Sequence, residues 1–264
     1  MIGDDDVRTA SGSRADREHE ESEMDVTMRQ GPAYGVARLT LGPNEPVRVE
    51  SGAMMTMSGG VVLQAKAEGG IMKSLKRAAL GGESFFVSTY TAPAQGGFVD
   101  VAARLPGDVT MFDVQPGRAL FIQKGSWLAN EVTINIDAKW GGFKNMFGSE
   151  GGFIVRAEGQ GKVVFACYGA LEVWNLEAGQ HITVDTGHMV AYEDTVQMGL
   201  RQASGGGLMQ TFKSGEGLVF DFQGPGRVWT QTRNPTEFLG WIGAMLGTSN
   251  SGSASPLGGL FGRD

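Results

Sequence analysis

The stretch KSGEGLVFDFQGPGRVW, Lys213 to Trp229, sets two glycine pairs, each with one residue between its members, around an alternating apolar run. Glycines in such a pattern either cradle a phosphate or turn the chain. A phosphate loop places its last glycine at the start of a helix, where free backbone amides and the helix dipole meet the anion. After Gly226 the chain runs Arg227-Val228-Trp229-Thr230-Gln231-Thr232. That run is rich in β-branched and aromatic residues and reads as a strand. The glycines therefore act as turn residues, and with a strand on either side they are expected to turn a β-hairpin.

The same pattern occurs twice upstream. YGVARLTLGPNEPVRVESGAM from Tyr34, PGDVTMFDVQPGRALFIQKGSW from Pro106 and YGALEVWNLEAGQHITVDTGHM from Tyr168 share one grammar. Each has a glycine, an alternating run, a polar turn, a second alternating run and another glycine, which predicts a strand pair. The paired glycines are 17 residues apart in the first copy (Gly35 to Gly52) and 18 in the others (Gly107 to Gly125, Gly169 to Gly187). The first members, Gly35, Gly107 and Gly169, are expected to permit positive φ or close approach of another backbone.

Each copy continues into a further strand (LQAKAEG, INIDAKWGG, VQMGLRQASGG), a short lysine-containing apolar segment and an acid, Glu83, Glu150 or Glu216, spaced 67 and 66 residues apart. A strand, a glycine turn and a strand close the copy, with turn glycines Gly97, Gly161 and Gly226 stepping by 64 and 65. A phosphate site has no reason to recur at one period, whereas a structural turn does. The expected fold is therefore all-β, an antiparallel β-sandwich or double-stranded β-helix-like arrangement of three internal repeats. Repeats of about 65 residues are expected to pack in a pseudo-threefold arrangement, each burying its apolar face against its neighbours.

Composition sets the boundaries. The chain has 264 residues, 41% of them hydrophobic, and 42 glycines. That suffices for a core, and the glycine excess marks turns. The net charge of −7 is uneven: residues 1–23 hold eight acids against three arginines. Such a segment has too little apolar surface to offset its ordering entropy. The expected organisation is a disordered acidic leader at 1–25 and a three-repeat β domain at 26–235, with repeats at about 32–103, 104–166 and 167–235. A short helix at 236–247 comes next, opened by Thr236 as a cap and docking on the core or a neighbouring subunit, and then a flexible tail at 248–264. The leader has no signal-peptide core, and no apolar run is long enough to span a bilayer. The protein is read as cytoplasmic. Cys167, the single cysteine, lies in the apolar run VVFACYG and is expected to be an inert core residue.

Several strings, ESGAMMTMSGGVVLQAKAEGG, LKRAALGGESFF, VDTGHMVAYE and SGEGLVFDFQGPGRVWTQTRNP, resemble those of the altered-inheritance-of-mitochondria protein 24 (AIM24) family, over about residues 26–235. The resemblance implies a sandwich or double-stranded β-helix fold similar to that of the tryptophan RNA-binding attenuator protein. No catalytic residue is established to carry over from it, and no cofactor is expected. Mitochondrial members are associated with inner-membrane organisation, but the acidic leader of this chain is not a transit peptide, and nothing carries over to either end.

The lysine-containing segments are the candidate contact sites. GGIMKSLKRAALGG offers Met72 and Leu75 with Lys73 and Lys76; WGGFKNMFGS offers Phe143 and Phe147 with Lys144; GGGLMQTFKSG offers Leu208 and Phe212 with Lys213. Apolar anchors beside lysines suit peripheral binding to an anionic membrane. The competing reading makes them plugs closing the ends of small sandwiches, since apolar stripes at helical spacing are more often core.

Other chemistries are weaker. His181 and His188 straddle a turn and need not share a face, which argues against a metal site. Met54, Met55 and Met57 have the chemistry of soft-metal ligands, but methionines at this density more often fill gaps in a core. Acid–base work by the three glutamates would need partners in the same cleft, and their repetition points instead to capping or turn hydrogen bonds or to ion pairs between copies; no nucleophile triad is supported by spacing. The near-neutral folded part argues against nucleic acid. The expected function is a non-catalytic scaffold that forms a homo-oligomer and associates peripherally with a membrane or membrane-linked partner at the inner face of the cell membrane. The alternative is a small-ligand or RNA-binding module using a cleft between repeats.

Overall fold

The computed structural model describes residues 24–64, 87–137, 154–203 and 217–247. A first strand, β1 (Asp25–Arg29), precedes three runs of six. The first run is β2 (Val36–Leu41), β3 (Pro46–Glu50), β4 (Met54–Met57), β5 (Val62–Gln64), β6 (Val87–Thr91) and β7 (Gly97–Ala102). The second is β8 (Val109–Val114), β9 (Ala119–Gln123), β10 (Trp127–Glu131), β11 (Asn135–Asp137), β12 (Ile154–Glu158) and β13 (Gly161–Ala166). The third is β14 (Leu171–Leu176), β15 (His181–Asp185), β16 (Met189–Glu193), β17 (Gln197–Gln202), β18 (Leu218–Gln223) and β19 (Gly226–Gln231), and after it comes helix α1 (Pro235–Met245).

Alternation explains the faces. In β3, Val47 and Val49 are fully buried while Pro46, Arg48 and Glu50 are half-buried, as one-sided burial of a pleated strand requires. In β18, Phe220 and Phe222 enter the core and Asp221 between them does not. Three clusters of buried residues result: one around Leu39, Val47 and Val99, one around Ile122, Trp127 and Phe165, and one around Tyr192, Phe220 and Phe222.

All strand pairs are antiparallel, and the fold is a sandwich-like stack of sheets. The sheet orders are β1-β2-β7-β4, β5-β6-β3-β10-β13-β8, β11-β12-β9-β16-β19-β14 and β15-β18-β17. Adding six to each strand number turns the first six-stranded order into the second. The same step carries β2-β7-β4 onto β8-β13-β10, and β11-β12-β9 onto β17-β18-β15.

The structure corrects two expectations about strand pairing. Gly224 and Gly226 turn the chain but do not make a hairpin, because β18 pairs with β15 and β17 whereas β19 pairs with β14 and β16. They form a corner between sheets. Gly226 has φ +138°, and a Cβ at Gly224 would collide with the Glu177 carbonyl oxygen. Likewise, the strand pair at the head of each copy splits, with β2 and β3 in different sheets. A sandwich needs both walls of its core, and consecutive strands supply one wall each. Alternation marks the buried face of a strand but not which backbone it bonds.

The close approach expected at the leading glycines is present. Gly35 N–H donates to the Gly107 carbonyl at 2.8 Å, and Gly107 forms a bridge with Gly169. A Cβ at Gly107 would overlap the Cys167 carbonyl oxygen, and Gly169 has φ +84°. The trailing glycines Gly52, Gly125 and Gly187 occupy the links β3–β4, β9–β10 and β15–β16.

Helix α1 is capped by Asn234 rather than Thr236. The Asn234 side-chain oxygen accepts from Thr236 N–H at 2.9 Å, and Pro235 fills the first turn, where a missing N–H costs nothing.

Candidate assembly interface

Met72, Lys73, Leu75 and Lys76 fall between β5 and β6, Phe143, Lys144 and Phe147 between β11 and β12, and Leu208, Phe212 and Lys213 between β17 and β18. All lie outside the described residues, as do Glu83, Glu150 and Glu216. The flanking strands are described, and each segment joins two hydrogen-bonded antiparallel neighbours.

Among the described residues, two sheet edges stand out. Strand β4 ends the first sheet, bonded to β7 on one side and to no strand on the other. Strand β15 ends the last sheet, bonded only to β18. Their counterparts six strands on or back are covered: β10 lies between β13 and β3, and β16 between β19 and β9. The consequence for burial is direct. Every residue of β10 and β16 is buried, whereas Met55 is 50% and Met57 40% exposed. Met54, Met55 and Met57 are therefore not all the core fillers expected of clustered methionines. The side chains are apolar, but among the described residues no strand pairs with the outer edge of β4.

Both edges carry a Thr-Asp-Arg array. Arg38, Asp100 and Thr56 are cross-strand neighbours on β2, β7 and β4. Arg38 donates Nε and Nη2 to the two Asp100 oxygens at 2.8 and 2.9 Å, Thr56 Oγ1 donates at 2.7 Å, and Arg29 pairs at 2.8 Å. Asp100 is 2% exposed, and these donors, Arg38 foremost, hold its carboxyl down from the usual 3.8 to about 2. On the other edge, Thr183 of β15 donates to Asp221 at 2.7 Å, and Asp221 pairs with Arg201. The Arg201 hydrogen bond, then that of Thr183, also lowers the Asp221 carboxyl. Each array satisfies a carboxylate next to an edge.

The histidines do not converge. His181 is exposed at the start of β15, while His188 Nδ1 lies 2.7 Å from the Gln231 carbonyl oxygen. Among the described residues no group of three metal-ligating side chains occurs. Cys167 is buried, and desolvation pushes its thiol up to about 11, which leaves it a poor nucleophile at neutral pH. Helix α1 rests on Tyr168 through Phe238, ring centroids 5.6 Å apart, with Leu239, Trp241 and Met245 exposed. Among the described residues no helix is long and apolar enough to cross a membrane.

Sequence reasoning missed the open edges and both arrays. The available signal was the uncharged run MMTM, set against WLANE and MVAYE at the same place in the other runs, each of which ends in a glutamate.

The chain is similar over 239 residues to the uncharacterized protein M6_Spy0233 of Streptococcus pyogenes serotype M6, at 24% identity, covering 88% of this chain and 94% of that one. Its fold is similar to the crystal structure of protein SPYM3_0169 from Streptococcus pyogenes, with a TM-score of 0.68 and 24% identity over 83% of this chain and 98% of that chain. The family model described as mitochondrial biogenesis AIM24 matches residues 26–233, all but the first residue of the span from β1 through β19, and the chain belongs to that family.

Proposed function

We propose that the protein is a non-catalytic β scaffold of three related units, attenuator-like in fold, that self-assembles and associates peripherally with an anionic membrane surface or a membrane-linked partner. The observation that carries this reading is the placement of the lysine-bearing segments. Each joins one strand to its hydrogen-bonded neighbour at one place in strand order: β5 to β6, β11 to β12 and β17 to β18. The six-step recurrence of sheet order supports the three-unit arrangement. On this reading the three segments act as one multivalent contact, in which weak single contacts add.

Co-sedimentation with anionic and zwitterionic vesicles tests it, using the full chain and a variant with Lys73, Lys76, Lys144 and Lys213 changed to Gln. At about 1 kcal/mol per lysine near an anionic surface, the four changes together remove about 4 kcal/mol and are expected to lower binding by up to about a thousandfold. Equal pelleting of both proteins, or pelleting of neither, overturns membrane association and favours the small-ligand or RNA-binding alternative.

A further inference from the structure

We propose that the bare edge of β4 in one copy of this chain pairs, antiparallel, with the bare edge of β15 in a second copy, so that assembly runs head to tail through strand addition. The proposal rests on the reading of the protein as a self-assembling scaffold and names the surface through which it assembles.

The chain itself contains two working examples of this joint. Strand β10 pairs with β3 through Ala129↔Val49, Asn130↔Arg48 and Glu131↔Val47. Strand β16 pairs with β9 through Ala191↔Ile122, Tyr192↔Phe121 and Glu193↔Leu120. Strand β4 corresponds to β10 and β16, and β15 to β3 and β9. The third joint of the series has both halves present, yet the two are not bonded to each other.

The correspondence extends to detail. All three strands of the β4 type carry a register shift at one position against their inner neighbour: Met54/Thr56, Trp127/Ala129 and Met189/Ala191. Strand β15 holds Val184 opposite Phe220 on β18, as β3 holds Val49 opposite Ser88 on β6 and β9 holds Ile122 opposite Val155 on β12. Carrying the register across the joint places Thr56 opposite Val184 and Met57 opposite Thr183 of the neighbouring copy. At the equivalent of the second pair, Phe121 and Tyr192 stack with centroids 4.9 Å apart.

Strand β4 also lacks the devices that keep an edge single. Met54-Met55-Thr56-Met57 has no charge and no proline, and Met55 and Met57 are exposed. An edge of this kind presents unpaired backbone groups beside apolar side chains, which favours addition of another strand. Because the two edges differ, the contact is heterologous. It generates a ring if the rotation closes and a filament if it does not.

The test uses the full chain in sedimentation velocity, with Met57→Lys blocking one edge, Thr183→Lys blocking the other, and far-UV circular dichroism to confirm that each variant is folded. Both positions are exposed in the single copy. Wild type is expected as a multimer and each variant as a monomer. An equimolar mixture of the two is expected to double in mass to a dimer, because it contains one free β4 and one free β15. A second measurement does not depend on the lysines: Met57→Cys with Thr183→Cys should form a disulfide between copies on mild oxidation, the native Cys167 being buried. A wild-type multimer indifferent to both lysine variants overturns the edge assignment while self-assembly stands. A monomeric wild type overturns both, and a disulfide formed within one chain shows the joint closing on itself, which also overturns the proposal.

Discussion

Strands β10 and β16 on one hand and β4 on the other occupy the same place in successive runs, and they differ in almost everything that burial measures. The first two sit inside six-stranded sheets and bury every residue. The third ends its sheet, with Met55, Thr56 and Met57 exposed. The surroundings differ to match. Where β10 and β16 place Ala129 beside Val164 and Ala191 beside Trp229, β4 places Thr56 beside Asp100. One strand further across, Met111 and Val173 give way to Arg38. Burial thus belongs to the presence of a neighbouring strand, and within a single copy the residues behind the β4 edge are polar where their counterparts are apolar. The polar face is satisfied by its own ion pairs, while among the described residues of a single copy the backbone edge beside it is open.

A charge placed at the same position in the covered and bare strands should break this comparison most sharply. Val190→Lys puts an ammonium in a fully buried site of β16 and is expected to cost about 3–5 kcal/mol, read as loss of the folded baseline in urea denaturation. A cost below about 1 kcal/mol there would show that β16 is not covered as described.

The Asp100 array comes next. Its carboxyl is lowered from the usual 3.8 to about 2, so the stabilisation is complete above the unfolded value and is lost as pH falls through the folded one. Wild type should lose about 2 kcal/mol of unfolding free energy between pH of about 4 and about 2, and Asp100→Asn should lack that acid step. The variant should also be less stable at neutral pH, because Arg29 and Arg38 are left without their counter-charge. An unchanged acid profile in Asp100→Asn would assign the step to other carboxylates.

The smallest effect is expected at the bare edge. Met55→Lys, the counterpart of Val190→Lys, made beside Thr183→Lys so that no second copy pairs with β4, should shift the urea midpoint by no more than about 0.5 kcal/mol equivalent. A loss as large as that of Val190→Lys in that background would mean that β4 is covered within a single copy.

Much of the architecture was legible because it is local. The alternation in VVFACYG and LVFDFQ marks strands β13 and β18, and the spacing of Gly97, Gly161 and Gly226 marks the entry to β7, β13 and β19. The crowding at Gly35 and Gly107 reflects the absence of a side chain where backbones meet. The candidate contact residues were chosen by composition, and they fall outside the described part of the chain. The Arg38–Asp100–Thr56 array was illegible for a different reason: its members are 62 and 44 residues apart, and no local pattern joins them. The hairpin at Gly224 failed because a turn between strands looks the same in sequence whether the strands bond to each other or face each other across a core.

By itself, the amino-acid order determined where strands begin and end, which of their faces is apolar and where the chain must turn. Those are properties of a few neighbouring residues and their steric freedom. Tertiary structure decided which strand bonds to which, where a sheet stops and therefore that Met55 is exposed while Val190 is buried. The backbone groups that make a ladder are identical at every residue, so their pairing is chosen only when whole faces pack together.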